Sequence, residues 1–342
     1  MIYRAKGGIL FFYELLFWMP PSSPFLKQKF KFLYMENPRV SVIIPNYNHE
    51  LYLDERIQSV LNQSYENFEV IILDDVSKDN SREVIEKYRS NPHVSYIVFN
   101  TENSGSTFKQ WAKGFSLAQG ELIWIAESDD SCSPKLLQRL VEQFDKDDKL
   151  VLAYSLSMFI DEHGKQHKPA NNVKKTVHLD GKDYIQRYTE FGNHIKNASS
   201  ALFKKDVAIQ LNPIYTHYKG SGDRLFWILI AEQGRVAIVD ECLNYFRRYS
   251  ATTTSKMTLN GTNHREEMQT YHYLCSHHLL DGFHRFLLRA YNKNEVMKNE
   301  YASKEIKDEL YELWNVPKSK FNLSILTIKI VNILQNKFKI YI

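Results

Sequence analysis

Apolar and polar positions divide the chain into short buried-type runs that alternate with helix-type repeats. Val40 to Pro45 (VSVIIP) is a continuous branched run of the kind covered on both faces, which points to a parallel sheet. Leu53, Ile57, Val60 and Leu61 follow at helical spacing, and a second run, Phe68 to Leu73, ends in Asp74-Asp75. Asp79-Asn80-Ser81 supplies cap chemistry for a helix carrying Val84, Ile85 and Tyr88, and Val94 to Phe99 forms a third strand. After a break at Asn103-Ser104-Gly105, a helix over Thr107 to Gln119 closes at Gly120, where a left-handed residue is expected.

The stretch Gly120 to Pro134 (GELIWIAESDDSCSP) reads as strand, acidic turn and helix entry. Its apolar run, Leu122 to Ala126, stops on Glu127, Asp129 and Asp130, and a helical repeat through Leu136, Leu137, Leu140, Val141 and Phe144 follows. Three carboxylates this close repel one another, and a hard divalent cation with oxygen ligands would relieve the repulsion. The plain alternative is a solvated turn that caps the next helix. In a parallel sheet, however, Asp74-Asp75 and Asp129-Asp130 end strands at the same edge, where ligands of open α/β sheets sit.

Beyond Leu150 the chain reads as a longer strand, Val151 to Ile160, and an exposed loop over Asp161 to Lys175. Asn197 to Phe203 (NASSALF) and Gly220 to Asp223 (GSGD) come next. A helix over Arg224 to Gln233 ends at Gly234, and a strand, Val236 to Val239, leads into LNYFRRYS. Asp223 therefore stands at a helix entrance, and Arg247 and Arg248 bring paired positive charge.

A chain of 342 residues exceeds the usual single-domain size, so one large domain with an appendage is expected. The near balance of 44 basic and 40 acidic residues gives no reason to invoke nucleic acid. Cys132, Cys242 and Cys275 lie far apart, without metal-type spacing, and suit a reducing compartment. The apolar run Ile9 to Met19 contains Glu14, ends at Pro20-Pro21 and is too short to span a bilayer. With Lys27, Lys29 and Lys31 it suits an interfacial anchor or an arm packed on the protein. Residues 1–38 are thus read as an arm, 39–257 as the main domain and 258–342 as a helical extension. Ser324 to Ile342, with Lys329, Lys337 and Lys339, suits either a basic amphipathic helix on an anionic membrane or a packed helix.

The segments VSVIIPNYN, VIILDDVSKD, NSG, GELIWIAESDDSCSP, GDRLFWILIAEQG and LNYFRRYS, in this order over residues 39–255, resemble the family 2 glycosyltransferases. The resemblance implies a GT-A fold, an α/β architecture with a Rossmann-like, mostly parallel central sheet flanked by helices. It also implies an inverting transfer from a nucleoside-diphosphate sugar, with a UDP-sugar favoured, to a glycan or lipid-linked acceptor in surface polysaccharide synthesis. Mg²⁺ or Mn²⁺ would serve as cofactor, and the location would be cytoplasmic, with membrane association at the inner face if the acceptor is lipid-linked.

Carried over by position, Tyr47 would stack on the base and Asp75 hold its polar edge, with Pro45, Asn48 and Asp74 shaping the loop. Asp129 would face the ribose and share the metal with its main ligand, Asp130, while Arg247 and Arg248 would meet the diphosphate. Asp223 would be the general base, or else a simple helix cap. Several positions depart from the family pattern. Gly222 stands where glutamate is common, Glu127 replaces an aspartate, Tyr249 takes a histidine position, and Trp111 falls near a usual arginine that Lys109 or Lys113 would replace. His49 is expected at the surface. Competing readings are a nucleotidyltransferase, which PNYNHE does not favour because it lacks glycine and lysine, and a non-catalytic nucleotide-sugar-binding scaffold. A dinucleotide oxidoreductase lacks its GxGxxG.

Overall fold

The computed structural model describes residues 38–170, 173–189, 192–248 and 253–316. The expected arm, the Ser324 to Ile342 segment and Tyr249 lie outside them. Strands β1 (Val40–Asn46), β2 (Phe68–Asp74), β3 (Val94–Phe99) and β4 (Leu122–Ile125) form a parallel unit in the order β3-β2-β1-β4. Val40 lies opposite Phe68 and Leu122, and Asn46 opposite Asp74. Helices α1 (Glu50–Leu61), α2 (Ser81–Glu86) and α3 (Thr107–Leu117) are the crossovers.

Every residue of β1 and β2 is buried, as their unbroken apolar runs anticipate. Alternate side chains feed two cores. Val42, Ile44, Val70 and Ile72 pack with α1 and with α4 (Leu136–Lys146) on one face. Ile43, Ile71, Leu73 and Ile125 pack on the other face with Phe108, Trp111 and Phe115 of α3.

The sheet continues beyond the parallel unit through β9 (Ala201–Lys204), β6 (Leu150–Ile160) and β10 (Arg235–Arg247), ending at the two-residue β5 (Ser131–Cys132). β9 runs antiparallel to both β4 and β6, while β6 and β10 are parallel. Part of the loop expected over 161–175 is a strand, β7 (Gln166–Pro169), folded back on β6, and β8 (Val177–Asp180) pairs with β10. Helices α5 (Gly181–Tyr188), α6 (Lys205–Gln210) and α7 (Gly222–Ala231) follow the strands.

Gly120 and Gly234 differ from expectation, since neither has a positive φ among the described residues. α3 ends earlier, at Leu117, with Ala118 extended. A Cβ on Gly120 would lie 2.8 Å from the Ser41 nitrogen, and one on Gly234 2.7 Å from the Lys149 oxygen. Both glycines permit close backbone approach.

The extension is helical: α8 (Thr253–Leu259), α9 (Thr262–Ser276), α10 (Gly282–Lys298) and α11 (Lys304–Leu313). Met268, Val296, Leu310 and Trp314 form its own cluster. Leu274, Leu280 and Leu288 instead join the main core with Trp227. Among the described residues, no helix is long and apolar enough to cross a membrane.

Candidate active site

β1, β2 and β4 are parallel neighbours, so the segments after them emerge at one edge. Asp74 closes β2 and organises the first loop: its carboxylate accepts from Asn46 Nδ2 at 2.8 Å and from the Ser77 amide at 3.0 Å. Asn48, with φ 58°, accepts from the Lys78 amide at 2.7 Å through its side-chain oxygen, and its own amide donates to Ser77 Oγ. This bracing leaves Pro45 buried and the Tyr47 ring 44% exposed, free of packing on its outer side. Val76 has φ 65°, a costly backbone state for a β-branched residue and one that clusters at functional sites.

Asp75 is buried, and protein donors surround its carboxylate: Asn100 Nδ2 at 2.6 Å, Ser104 Oγ at 2.7 Å and Gln110 Nε2 at 3.0 Å. The same three residues help line a shallow pocket of about 430 Å³ that also includes Lys109 and Lys113. Lys109 Nζ donates to the Ser104 carbonyl and Lys113 Nζ to Asn100 Oδ1. Both lysines therefore stand beside Asp75. At the acidic turn it is Trp111 that arrives, its Nε1 donating to Glu127 Oε1 at 2.9 Å.

His49 does more than meet solvent. Its Nδ1 lies 2.8 Å from Ser128 Oγ, tying the β1 exit to the acidic turn. Within that turn the fold directs Asp130, the expected main metal ligand, inward. One oxygen accepts from the Arg247 amide at 3.0 Å and the other from Ser199 Oγ at 2.7 Å, and Arg56 Nη2 stands 3.7 Å away. Asp130 and Arg56 are both fully buried, so the guanidinium is the cation that Asp130 faces. Glu127 and Asp129 are the acids of the turn that keep some exposure. Burial, followed by the charge of Asp129, pushes Glu127 up to about 8.

Arg247 reaches the turn as a clamp. Its Nε donates to the Asp129 carbonyl at 2.8 Å, its Nη1 to the Asp161 carbonyl at 3.0 Å and its Nη2 to Glu55, while Tyr52 lies under the guanidinium at 4.6 Å. The donors of Arg247, the residue expected to meet the diphosphate, are thus engaged by the protein itself. Arg248 is exposed and rests over Phe159 and Phe246. Lys196, which the sequence reading missed, lies nearby: burial, then Arg224 and Arg248, lower its pKa.

Asp223 is the second residue of α7. Its carboxylate accepts from Asn193 Nδ2 at 2.8 Å, and burial holds its pKa up at about 6. Gly222 before it has a steric reason: a Cβ there would lie 2.7 Å from Phe108 Cε2 and 2.7 Å from the Tyr215 carbonyl oxygen. No glutamate fits. Trp111 spans the space between the acidic turn and α7, its ring centroid 5.6 Å from that of Phe226.

Acidic and aromatic loops leaving one edge of a mostly parallel sheet define an α/β protein whose candidate site lies at the carboxyl ends of its strands. The family model described as "Glycosyl transferase family 2" matches residues 41–211, and the chain belongs to that family. An uncharacterized glycosyltransferase of Nostoc is 29% identical over 218 residues, covering 62% of this chain and 66% of its own. The putative teichuronic acid biosynthesis glycosyltransferase TuaG of Bacillus subtilis is 35% identical over 105 residues, 31% of this chain and 41% of its own. The match thus spans less than two thirds of either relative. Residues 1–349 of S. aureus TarS, crystallised with UDP-GlcNAc, share the GT-A fold at a TM-score of 0.54 and 17% identity, over 87% of this chain and 76% of theirs.

Proposed function

We propose that the chain is an inverting glycosyltransferase that moves a sugar from a nucleoside-diphosphate sugar to a hydroxyl of a glycan or lipid-linked acceptor. The placement of Asp223 carries the proposal. It is a hydrogen-bonded carboxylate at a helix entrance, with its pKa raised to about 6 and still largely ionised at neutral pH. As the acceptor oxygen attacks the anomeric carbon, Asp223 takes its proton, and the sugar–diphosphate bond breaks on the opposite face. A UDP-sugar is the donor we favour, in line with the UDP-GlcNAc held by the TarS relative in fold.

Tyr47 offers an exposed ring for the base, and Asp75 would meet its polar edge by exchanging one of its present donors. Asp129, and Glu127 once a cation displaces its proton, fit a divalent cation, because Mg²⁺ takes one or two protein carboxylates and completes its shell with phosphate oxygens and water. Among the described residues no cluster of three or more acids, histidines or cysteines is placed to hold a metal unaided. When bound, Mg²⁺ or Mn²⁺ would neutralise charge developing on the leaving diphosphate. Arg248 and Lys196 are the chain's own cations on that side, and Arg247 holds the turn to which they are addressed.

A panel of nucleotide sugars with and without Mn²⁺, followed by melting temperature and nucleotide release, tests the proposal. A donor that raises the melting temperature and is consumed only with the cation supports it. If no donor shifts the melting curve, the assignment is wrong.

A further inference from the structure

On the basis of Asp223 as the base, we propose that the helical extension completes the active site, with Glu266 of α9 as the positioning residue that fixes the entrance to α7. Glu266 is buried, although it lies on a helix outside the nucleotide-binding sheet. Its Oε1 accepts from the Lys219 amide at 2.6 Å. Its Oε2 accepts from the Gly220 amide at 3.0 Å, the Ser221 amide at 2.7 Å and Ser221 Oγ at 3.1 Å. Three consecutive amides converge on one carboxylate, and the next residue begins the helix that carries Asp223.

The adjacent glutamate holds the other side of the base. Glu267 pairs with Arg224 Nη1, and Arg224 Nη2 donates to the Thr189 carbonyl. Asp223 is therefore bracketed in sequence by segments that two successive residues of α9 hold in place. A purely space-filling contact would be met by apolar side chains at lower desolvation cost, whereas a carboxylate facing three amides fixes direction as well as distance. A Cβ at Gly220 would fall 2.0 Å from the Oδ1 of Asn263, one turn earlier on α9, so a side chain there requires the Asn263 amide or the loop to move.

Glu266→Gln puts an amide in place of one acceptor oxygen. For release of UDP from a donor the enzyme accepts, kcat is expected to fall about tenfold to a hundredfold, because small displacements of a base carry large rate costs. The melting temperature should fall by a few degrees, since a buried donor loses its acceptor, while at a temperature where the variant is folded the donor KM should remain close to that of the wild type. An unchanged kcat, or a loss in kcat that merely follows loss of folded protein and of donor affinity, would overturn the proposal.

If the variant does not fold, Gly220→Ala displaces the same loop with Glu266 intact. The proposal requires this change to slow release and Asn263→Ala to restore it; equal rates in all three proteins would sink it. The Asp223 carboxyl titration, followed by ¹³C NMR, needs no turnover. The charged groups acting on Asp223 are Arg224 on its own helix and Glu267 on α9. Loosening the entrance admits water and should lower the titration from about 6 towards the ordinary carboxylate range. A wild type that consumes no donor would remove the glycosyltransferase assignment, and this titration would still decide whether Glu266 holds Asp223.

Discussion

Asp223 and its neighbour Gly222 set opposite demands on one helix turn. Asp223→Asn keeps the shape and the Asn193 contact but cannot take a proton, so transfer should fall about a hundredfold to ten-thousandfold while the donor still raises the melting temperature. Equal loss of donor binding would show that Asp223 acts in binding instead. Because burial raises its pKa to about 6, the base form is lost earlier on acidification than for an ordinary aspartate. The kcat/KM profile should therefore be flat above neutrality and decline about tenfold per pH unit below that value. In Asp223→Asn the residual rate should lack this limb. Gly222→Ala forces a methyl group against Phe108, Tyr215 and Tyr218. It should destabilise the protein by about 1–3 kcal/mol in urea unfolding, since overpacked sites relax only by moving backbone.

At the scale of elements, the acidic turn is held by partners that arrive from distant parts of the chain. Ser199 Oγ donates to Asp130 and accepts from the Glu127 amide at 3.0 Å, so one hydroxyl joins both ends of the turn. Ser199→Ala should cost about 1–2 kcal/mol of stability and lower kcat more than donor affinity, measured by unfolding and by steady-state kinetics. Arg247→Lys keeps the charge but loses the planar fork that reaches the Asp129 and Asp161 carbonyls together, and should destabilise by about 3 kcal/mol. The acids themselves were legible in the sequence, because each follows a buried apolar run and parallel strands bring such ends to one edge. Their holders were not. Ser199 reaches the turn only because β9 inserts antiparallel between β4 and β6, a choice no local period records. Arg56 is one more polar position in the repeat of α1, and only packing shows that it faces Asp130. The Asn197 side chain accepts from the Ser199 amide at 2.8 Å, a local motif that an Asn-x-Ser reading could have raised.

Across the whole molecule, the parallel unit and the helix that carries Asp223 meet through one aromatic layer. Trp111 and Phe115 of α3 face Phe226 and Trp227 of α7, and Phe203 of β9 packs on both phenylalanines. The sequence marks both helices by their bounds and closing glycines, but not that they face each other, because helix pairing depends on where β9 and β6 enter the sheet. Trp111 also donates to Glu127, so the layer ties the acidic turn to the spacing of the helix that carries Asp223. Phe226, at the centre and fully buried, is the residue whose loss should be felt on both sides. Phe226→Ala should cost about 3–5 kcal/mol by removing its contacts and leaving a cavity. At a temperature where the variant is still folded, kcat should also fall, since Trp111 and α7 relax into the space and change the distance from the leaving group to the base. Phe226→Leu should recover most of the stability and most of the rate. If Phe226→Ala loses stability but turns over at the wild-type rate, the layer holds the fold together without setting the geometry of catalysis.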